Sequence, residues 1–205
     1  GSDPGFSVAS NGGTHTAWED VALIREIPGA VICDPADDVQ MEWIIKEFLK
    51  MEGIHYVRSN RKAVRNVYKK GSSFKIGQGN ILKEGKDILI IAAGQLVSEA
   101  LDCAEELEKE GYSVEVIDMF TIKPLDEKLL IKEAKGKSKI VTIENHSIYG
   151  GLGSAVSEVI AENGISVPVK RIGVKEKFGQ VGTAEFLQEE FGLTAKQIKE
   201  TICQF

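Results

Sequence analysis

Asn11-Gly12-Gly13-Thr14-His15 brings an imidazole to the end of a glycine-rich approach, directly ahead of the amphipathic run that begins at Thr16. Glycine backbone can pass close to a ligand, so a loop of this kind can present a ring that exchanges protons with it. Histidine suits that work at neutral pH, its ordinary pKa being about 6.5. Thr16 followed by Glu19 has capping-box spacing, which predicts a helix over 16–27 and sets His15 just outside its positive end. Packing or capping by a lone loop histidine is the plainer reading, and the spacing leaves both open.

A second cluster lies downstream. Arg58, Arg61, Lys62, Arg65, Lys69 and Lys70 fall within a stretch that contains no acid, in a chain whose formal net charge is -6. Such a run reads as a solvated face or as an anion-binding edge. A nucleic-acid patch is the weaker alternative, because only Tyr56 and Tyr68 accompany it and no recognition motif is present. Gly150-Gly151-Leu152-Gly153 looks like a phosphate loop but lacks the dinucleotide spacing and a Walker lysine, so a tight strand-to-helix turn is expected. Glu144 and His146 are expected as a surface pair and His55 as a hydrogen-bonded core histidine, with Asp37 and Asp38 in a helix first turn. Trp18 and Trp43 are expected in the core or at an interface.

The elements that would hold these residues alternate. After helix 16–27, stopped by Pro28-Gly29, a strand is predicted over 30–33. Asp34 as N-cap and Pro35 at the first helical position then predict a helix to about residue 51, followed by a strand over 54–58. Glycines around residues 71–86 enclose a short piece of strand character, Phe74-Lys75-Ile76, and divide the chain into parts 1–75 and 76–205. Beyond them, strands are predicted over 87–92, 113–118, 139–144 and 167–172. Helices are predicted over 96–110, 126–134, from Gly153 to about 162, 183–191 and 194–202. Strands separated by helices imply parallel crossovers and an α/β three-layer sandwich with a mainly parallel sheet.

Composition bounds the function. The chain has 205 residues, enough to bury a core in one or two domains, and its acidity argues against general affinity for nucleic acid or anionic membranes. No apolar run approaches the ~18 residues of a membrane span, and no signal-peptide pattern opens the sequence, so a cytoplasmic location is expected. Cys33, Cys103 and Cys203 lie far apart without metal-ligand spacing, so reduced, buried thiols and no metal site are expected.

The Asn11–His15 motif is followed by Glu19, Arg25, Pro28-Gly29 and Asp34-Pro35-Ala36-Asp37. This order and spacing resemble the second half of the pyrimidine-binding domain of transketolases and related thiamine diphosphate enzymes. The rest of the chain, most recognisably Val141 to His146 before Gly150-Gly151-Leu152-Gly153-Ser154, resembles the transketolase C-terminal domain. The resemblance implies an α/β chain made of a partial pyrimidine-binding domain, 1–75, and a transketolase C-terminal domain, 76–205. It implies His15 as a catalytic and cofactor-contacting residue that also reads the substrate. Asn11 would be a substrate reader, as would Arg58, which stands where the family has an arginine that grips a sugar phosphate, with Arg61 as second choice.

The implied activity is two-carbon ketol transfer from a ketose phosphate to an aldose phosphate with thiamine diphosphate and Mg2+. Deoxyxylulose-phosphate synthase, the beta subunit of a 2-oxoacid dehydrogenase and a non-catalytic assembly module are the alternatives. The family's diphosphate motif is missing from the sequence, so this chain alone is expected to bind no cofactor and to be inactive. It would need a diphosphate-binding domain or separate subunit, in a homodimer or higher assembly. Asn11 replaces the family's aspartate, Gly13 its proline and Thr16 its glutamine, which puts substrate selectivity in question.

Overall fold

The computed structural model describes residues 1–205, with side chains described for all but 8–10. A 3-10 stretch over Gly5–Thr14 leads through His15 to α1 (Asp20–Arg25), β1 (Val31–Cys33), α2 (Asp38–Phe48) and β2 (His55–Val57). Then follow β3 (Asn80–Lys83), β4 (Ile88–Ala92), α3 (Val97–Lys109), β5 (Val114–Asp118), β6 (Thr121–Lys123) and α4 (Glu127–Ala134). The chain continues through β7 (Lys139–Ser147), α5 (Leu152–Glu162), β8 (Val169–Val174), α6 (Ala184–Glu190) and α7 (Ala195–Gln204).

Five strands in the order β3-β5-β4-β7-β8 form the main sheet, parallel except for β3. Every residue of β4 is buried, as expected for a central parallel strand covered on both faces. Its side chains alternate between two layers. Ile88, Ile90 and Ala92 pack with α3, α6 and α7 through Val97, Leu107, Leu187 and Ile198. Leu89 and Ile91 pack with α4 and α5 through Leu130, Val156 and Ile160. The result is the expected three-layer sandwich.

Three departures bear on the site. β6 was not expected, yet it pairs antiparallel with β1 and completes a smaller sheet ordered β2-β1-β6. Three residues carry too little periodicity to be seen in sequence. Phe74-Lys75-Ile76 forms no strand; Phe74 instead packs edge-on against Trp43, Tyr68 and Phe120. The helix expected from Asp34 starts three residues later than that N-cap implies. Asp37 is the cap, its Oδ1 accepting from the Gln40 amide at 2.9 Å, while Asp34 is drawn elsewhere.

Candidate active-site edge

His15 is exposed in the turn that ends the 3-10 stretch. Its amide donates to the Gly12 carbonyl at 3.1 Å, and the Thr16 hydroxyl donates to the same carbonyl at 2.9 Å. Gly12, at φ +64°, makes this tight reversal. No capping box forms at Thr16: α1 begins only at Asp20, and the Glu19 carboxylate accepts from the neighbouring Trp18 amide at 3.0 Å. His15 therefore owes its position to the turn, not to a helix end.

The ring is oriented by its neighbour. The Thr14 hydroxyl donates to the Asn11 carbonyl at 3.1 Å, and His15 Nδ1 lies 2.9 Å from the same hydroxyl oxygen. With the hydroxyl proton on the Asn11 carbonyl, the Thr14 oxygen accepts from Nδ1, an arrangement that leaves the lone pair of a neutral ring on Nε2. Asn11 is half-buried beside them.

The C-terminal part of the chain holds this loop. Ser147, at the end of β7, donates its amide to the Trp18 carbonyl at 2.9 Å, and Trp18 packs edge-on against Phe191 at 5.0 Å. The buried Asn145 side chain accepts from the Phe6 amide at 3.2 Å and donates to the Pro4 carbonyl at 3.1 Å. Gly179, after β8, lies against Gly13, so close that a Cβ on Gly179 would come within 2.6 Å of the Gly13 Cα. The departure at Gly13 thus belongs to a backbone-on-backbone contact.

Arg58 lies buried at the end of β2. It is 1% exposed, and its guanidinium serves its own chain. Nε and Nη2 donate to the Asp20 carboxylate at 2.9 and 3.2 Å, Nη1 donates to Asp34 at 2.8 Å, and Nη2 also reaches the carbonyls of Asn145 at 3.0 Å and Ala17 at 3.4 Å. Burial acts to raise the Asp20 carboxyl, but the Arg58 charge and the Tyr56 hydroxyl outweigh it and hold Asp20 below the usual carboxylate range. Arg61 is exposed and makes a two-pronged pair with Asp3 at 2.9 and 2.6 Å. Arg65 turns to Asp102 and to the Ser98 carbonyl, so the basic run is not one face.

Glu144 and His146 are buried, against the expectation of a surface pair. The Glu144 carboxylate accepts the Leu152 and Gly153 amides at 2.7 and 2.8 Å, filling the place at the start of α5 that a bound phosphate would take. A Cβ on Gly151 would meet this carboxylate at 2.0 Å, which accounts for the glycine at that position. Burial outweighs the two amides and pushes the Glu144 carboxyl up to about 7. His146 is lowered to about 4 by burial and then by Arg58; its Nδ1 lies 2.7 Å from the Ser147 carbonyl.

Two smaller expectations also change. His55 stacks on Phe48 at 4.8 Å and its buried Nε2 makes no hydrogen bond. Cys203 is exposed, whereas Cys33 and Cys103 are buried. Among the described residues, no three His, Cys, Asp or Glu side chains are grouped to hold a metal ion. No helix among them is long and apolar enough to cross a membrane.

The family described as "Transketolase, C-terminal domain" matches residues 77–198, more than half of the chain. The chain belongs to the transketolase family. Among its transketolase relatives, a 6-deoxy-6-sulfo-D-fructose transketolase subunit of Clostridium sp. is 42% identical over 97% of this chain and 61% of the relative. A putative transketolase C-terminal section of Methanocaldococcus jannaschii is 40% identical over 98% of this chain and 63% of the relative. A split-gene transketolase solved as an inactive β4 tetramer superposes with a TM-score of 0.89 at 38% identity, over 99% of this chain and 64% of that one. The chain thus spans just under two thirds of the length of these transketolase relatives.

Sequence reasoning singled out His15 but missed the residues that hold its loop. Asp34 was visible only as a helix N-cap and Asn145 only as part of a motif, while Asp20 and Gly179 carried no signal. Their partners lie far away in the chain, as Asn145 with Pro4 and Arg58 with Asp34 illustrate.

Proposed function

We propose that this chain supplies one edge of a transketolase active site, in an assembly that moves a two-carbon ketol unit from a ketose phosphate to an aldose phosphate. In this reading residues 1–75 are part of a pyrimidine-binding domain and 76–205 the transketolase C-terminal domain. The supporting observation is His15, an exposed imidazole whose Nε2 lone pair is left free by the Thr14 contact. Such a nitrogen can take the proton of a donor sugar hydroxyl as the adjoining C–C bond breaks and that hydroxyl becomes a carbonyl, and give a proton to the acceptor's carbonyl oxygen as the new C–C bond turns it into a hydroxyl. Asn11 offers the substrate a neutral polar contact beside it.

Thiamine diphosphate, held with Mg2+, supplies the nucleophilic carbon that cleaves a bond next to a carbonyl. The start of α5, which looks like a phosphate loop in sequence, is filled by the Glu144 carboxylate. In this reading the cofactor's diphosphate is held by a second chain or domain.

Co-expression with a chain that carries a diphosphate-binding motif, followed by a ketol-transfer assay with ketose and aldose phosphates, tests this reading. We expect transfer by the pair and a loss of at least ~10²-fold in kcat for His15→Ala. Wild-type turnover in His15→Ala would remove the histidine from the chemistry. Condensation of pyruvate with an aldose phosphate, in place of ketol transfer, would identify a deoxyxylulose-phosphate synthase instead.

A further inference from the structure

The loop that presents His15 is closed at its base. The Gly5 amide donates to the Ala17 carbonyl at 2.9 Å and the Ala17 amide to the Asp3 carbonyl at 3.4 Å, so the chain leaves at Gly5 and returns at Ala17, two residues beyond the histidine. A loop with paired ends takes its placement from the contacts at its base. Here one side chain spans that base. Asn145 of β7 is buried, and its amide straddles Gly5: Nδ2 donates to the Pro4 carbonyl at 3.1 Å, and Oδ1 accepts from the Phe6 amide at 3.2 Å. A donor and an acceptor side by side offer Gly5 what a neighbouring strand would, and the two contacts together fix which way the amide points.

Gly5 is fitted to this amide. Its φ is +53°, and a Cβ there would lie 1.9 Å from Asn145 Oδ1. Loss of the Asn145 side chain would leave the Phe6 amide, whose acceptor it is, unpaired in a buried place. The main chain of Asn145 is held in turn, its carbonyl accepting from Arg58 Nη2 at 3.0 Å, and two residues on the Ser147 amide reaches the Trp18 carbonyl. We propose that Asn145 is a positioning residue for the reaction: acting through Gly5, it seats the loop from Gly5 to Ala17 on the main sheet and so sets where the His15 ring stands. The kinetic arm of its test rests on the ketol-transfer reading, and the structural arms do not.

Asn145→Ala removes the contact from the β7 side and Gly5→Ala disturbs it from the loop side, the second leaving β7 intact should the first fail to fold. In the chain alone, both should raise amide hydrogen exchange at Phe6 and Ala17 by about tenfold or more and shift the His15 ring resonances. Val156→Ala, which opens a cavity under α5 instead, should leave those resonances in place. The double variant should exchange no faster than the worse of the two single ones, because Asn145→Ala clears the space that the new methyl needs. In the assembled holoenzyme, Asn145→Ala should lower kcat by about tenfold with KM within about threefold of wild type. Unchanged exchange and His15 resonances in both single variants would overturn the proposal, as would exchange factors that multiply in the double variant. A tenfold rise in KM at unchanged kcat would make Asn145 a substrate-binding residue and overturn it as well. If the assembly transfers no ketol unit, the ketol-transfer reading fails, and the exchange, resonance and double-variant arms still decide the role of Asn145.

Discussion

A histidine acts as a base only if its free nitrogen faces the reactant, and at His15 one neighbouring hydroxyl decides which nitrogen that is. The Thr14 hydroxyl donates to the Asn11 carbonyl and, in that arrangement, accepts from Nδ1, which leaves the lone pair on Nε2. Replacing Thr14 with valine keeps the shape and removes the acceptor, so the two neutral tautomers should become mixed and the ring less well held. We expect kcat of the assembled enzyme to fall by about tenfold with little change in KM, while Thr14→Ser stays near wild type. Ring nitrogen shifts of His15 measured by NMR would report the tautomer directly; a single unchanged tautomer in Thr14→Val would contradict the assignment.

Elements of the C-terminal part carry that residue, and they do so through contacts that two kinds of substitution can probe. Gly179→Ala would drive a methyl to within 2.6 Å of the Gly13 Cα, so the His15 loop must move. The expected outcome is a loss of about tenfold or more in ketol transfer with a normally folded sheet, read by activity and circular dichroism side by side. Glu144 at the start of α5 gives a pH-dependent test. Its folded pKa of about 7 lies above the ordinary carboxyl value, so its protonation favours the folded state, and that contribution is lost as pH rises through about 7.

Glu144→Gln removes this titration while His146, which acts in the opposite sense, remains in both proteins. Denaturant unfolding should therefore show Glu144→Gln gaining on wild type between pH 5 and pH 7.5, by on the order of 1–3 kcal/mol. A constant difference across that range would contradict it. The parallel strands of the main sheet and the helices around them were legible because each carried its own signal, the unbroken apolar run of β4 or the hydroxyl cap of α7 at Thr194, whereas the four-residue antiparallel edge strand β3 carried none and was missed. The start of α1 was not, because Glu19 turned to the Trp18 amide; nor was that of α2, because Asp34 answers to Arg58 rather than to its own helix. Local capping rules lose wherever a distant charge competes for the same side chain.

At the scale of the whole molecule, the two sheets share one interior. Val21 of α1 and Ile32 of β1 belong to the same buried cluster as Leu89 and Ile91 of β4 and Val156 of α5, and β6 carries Ile122 into it from the C-terminal part. The main-chain pairing of β1 with β6 crosses the same boundary. A glycine-rich division in sequence therefore does not mark a place where the chain can come apart, because apolar packing and a strand ladder both span it. Cooperative unfolding is the consequence: a cavity made on one side must loosen the other. Ile32 is fully buried, so Ile32→Ala should cost about 2–5 kcal/mol and shift one unfolding transition without splitting it. Hydrogen exchange would check this, with the β4 amides of Leu89 to Ile91 accelerating together with those of β1. Acceleration confined to β1 and β2 would show two independent units, and the His15 loop would then be held by a contact between domains rather than by a common core.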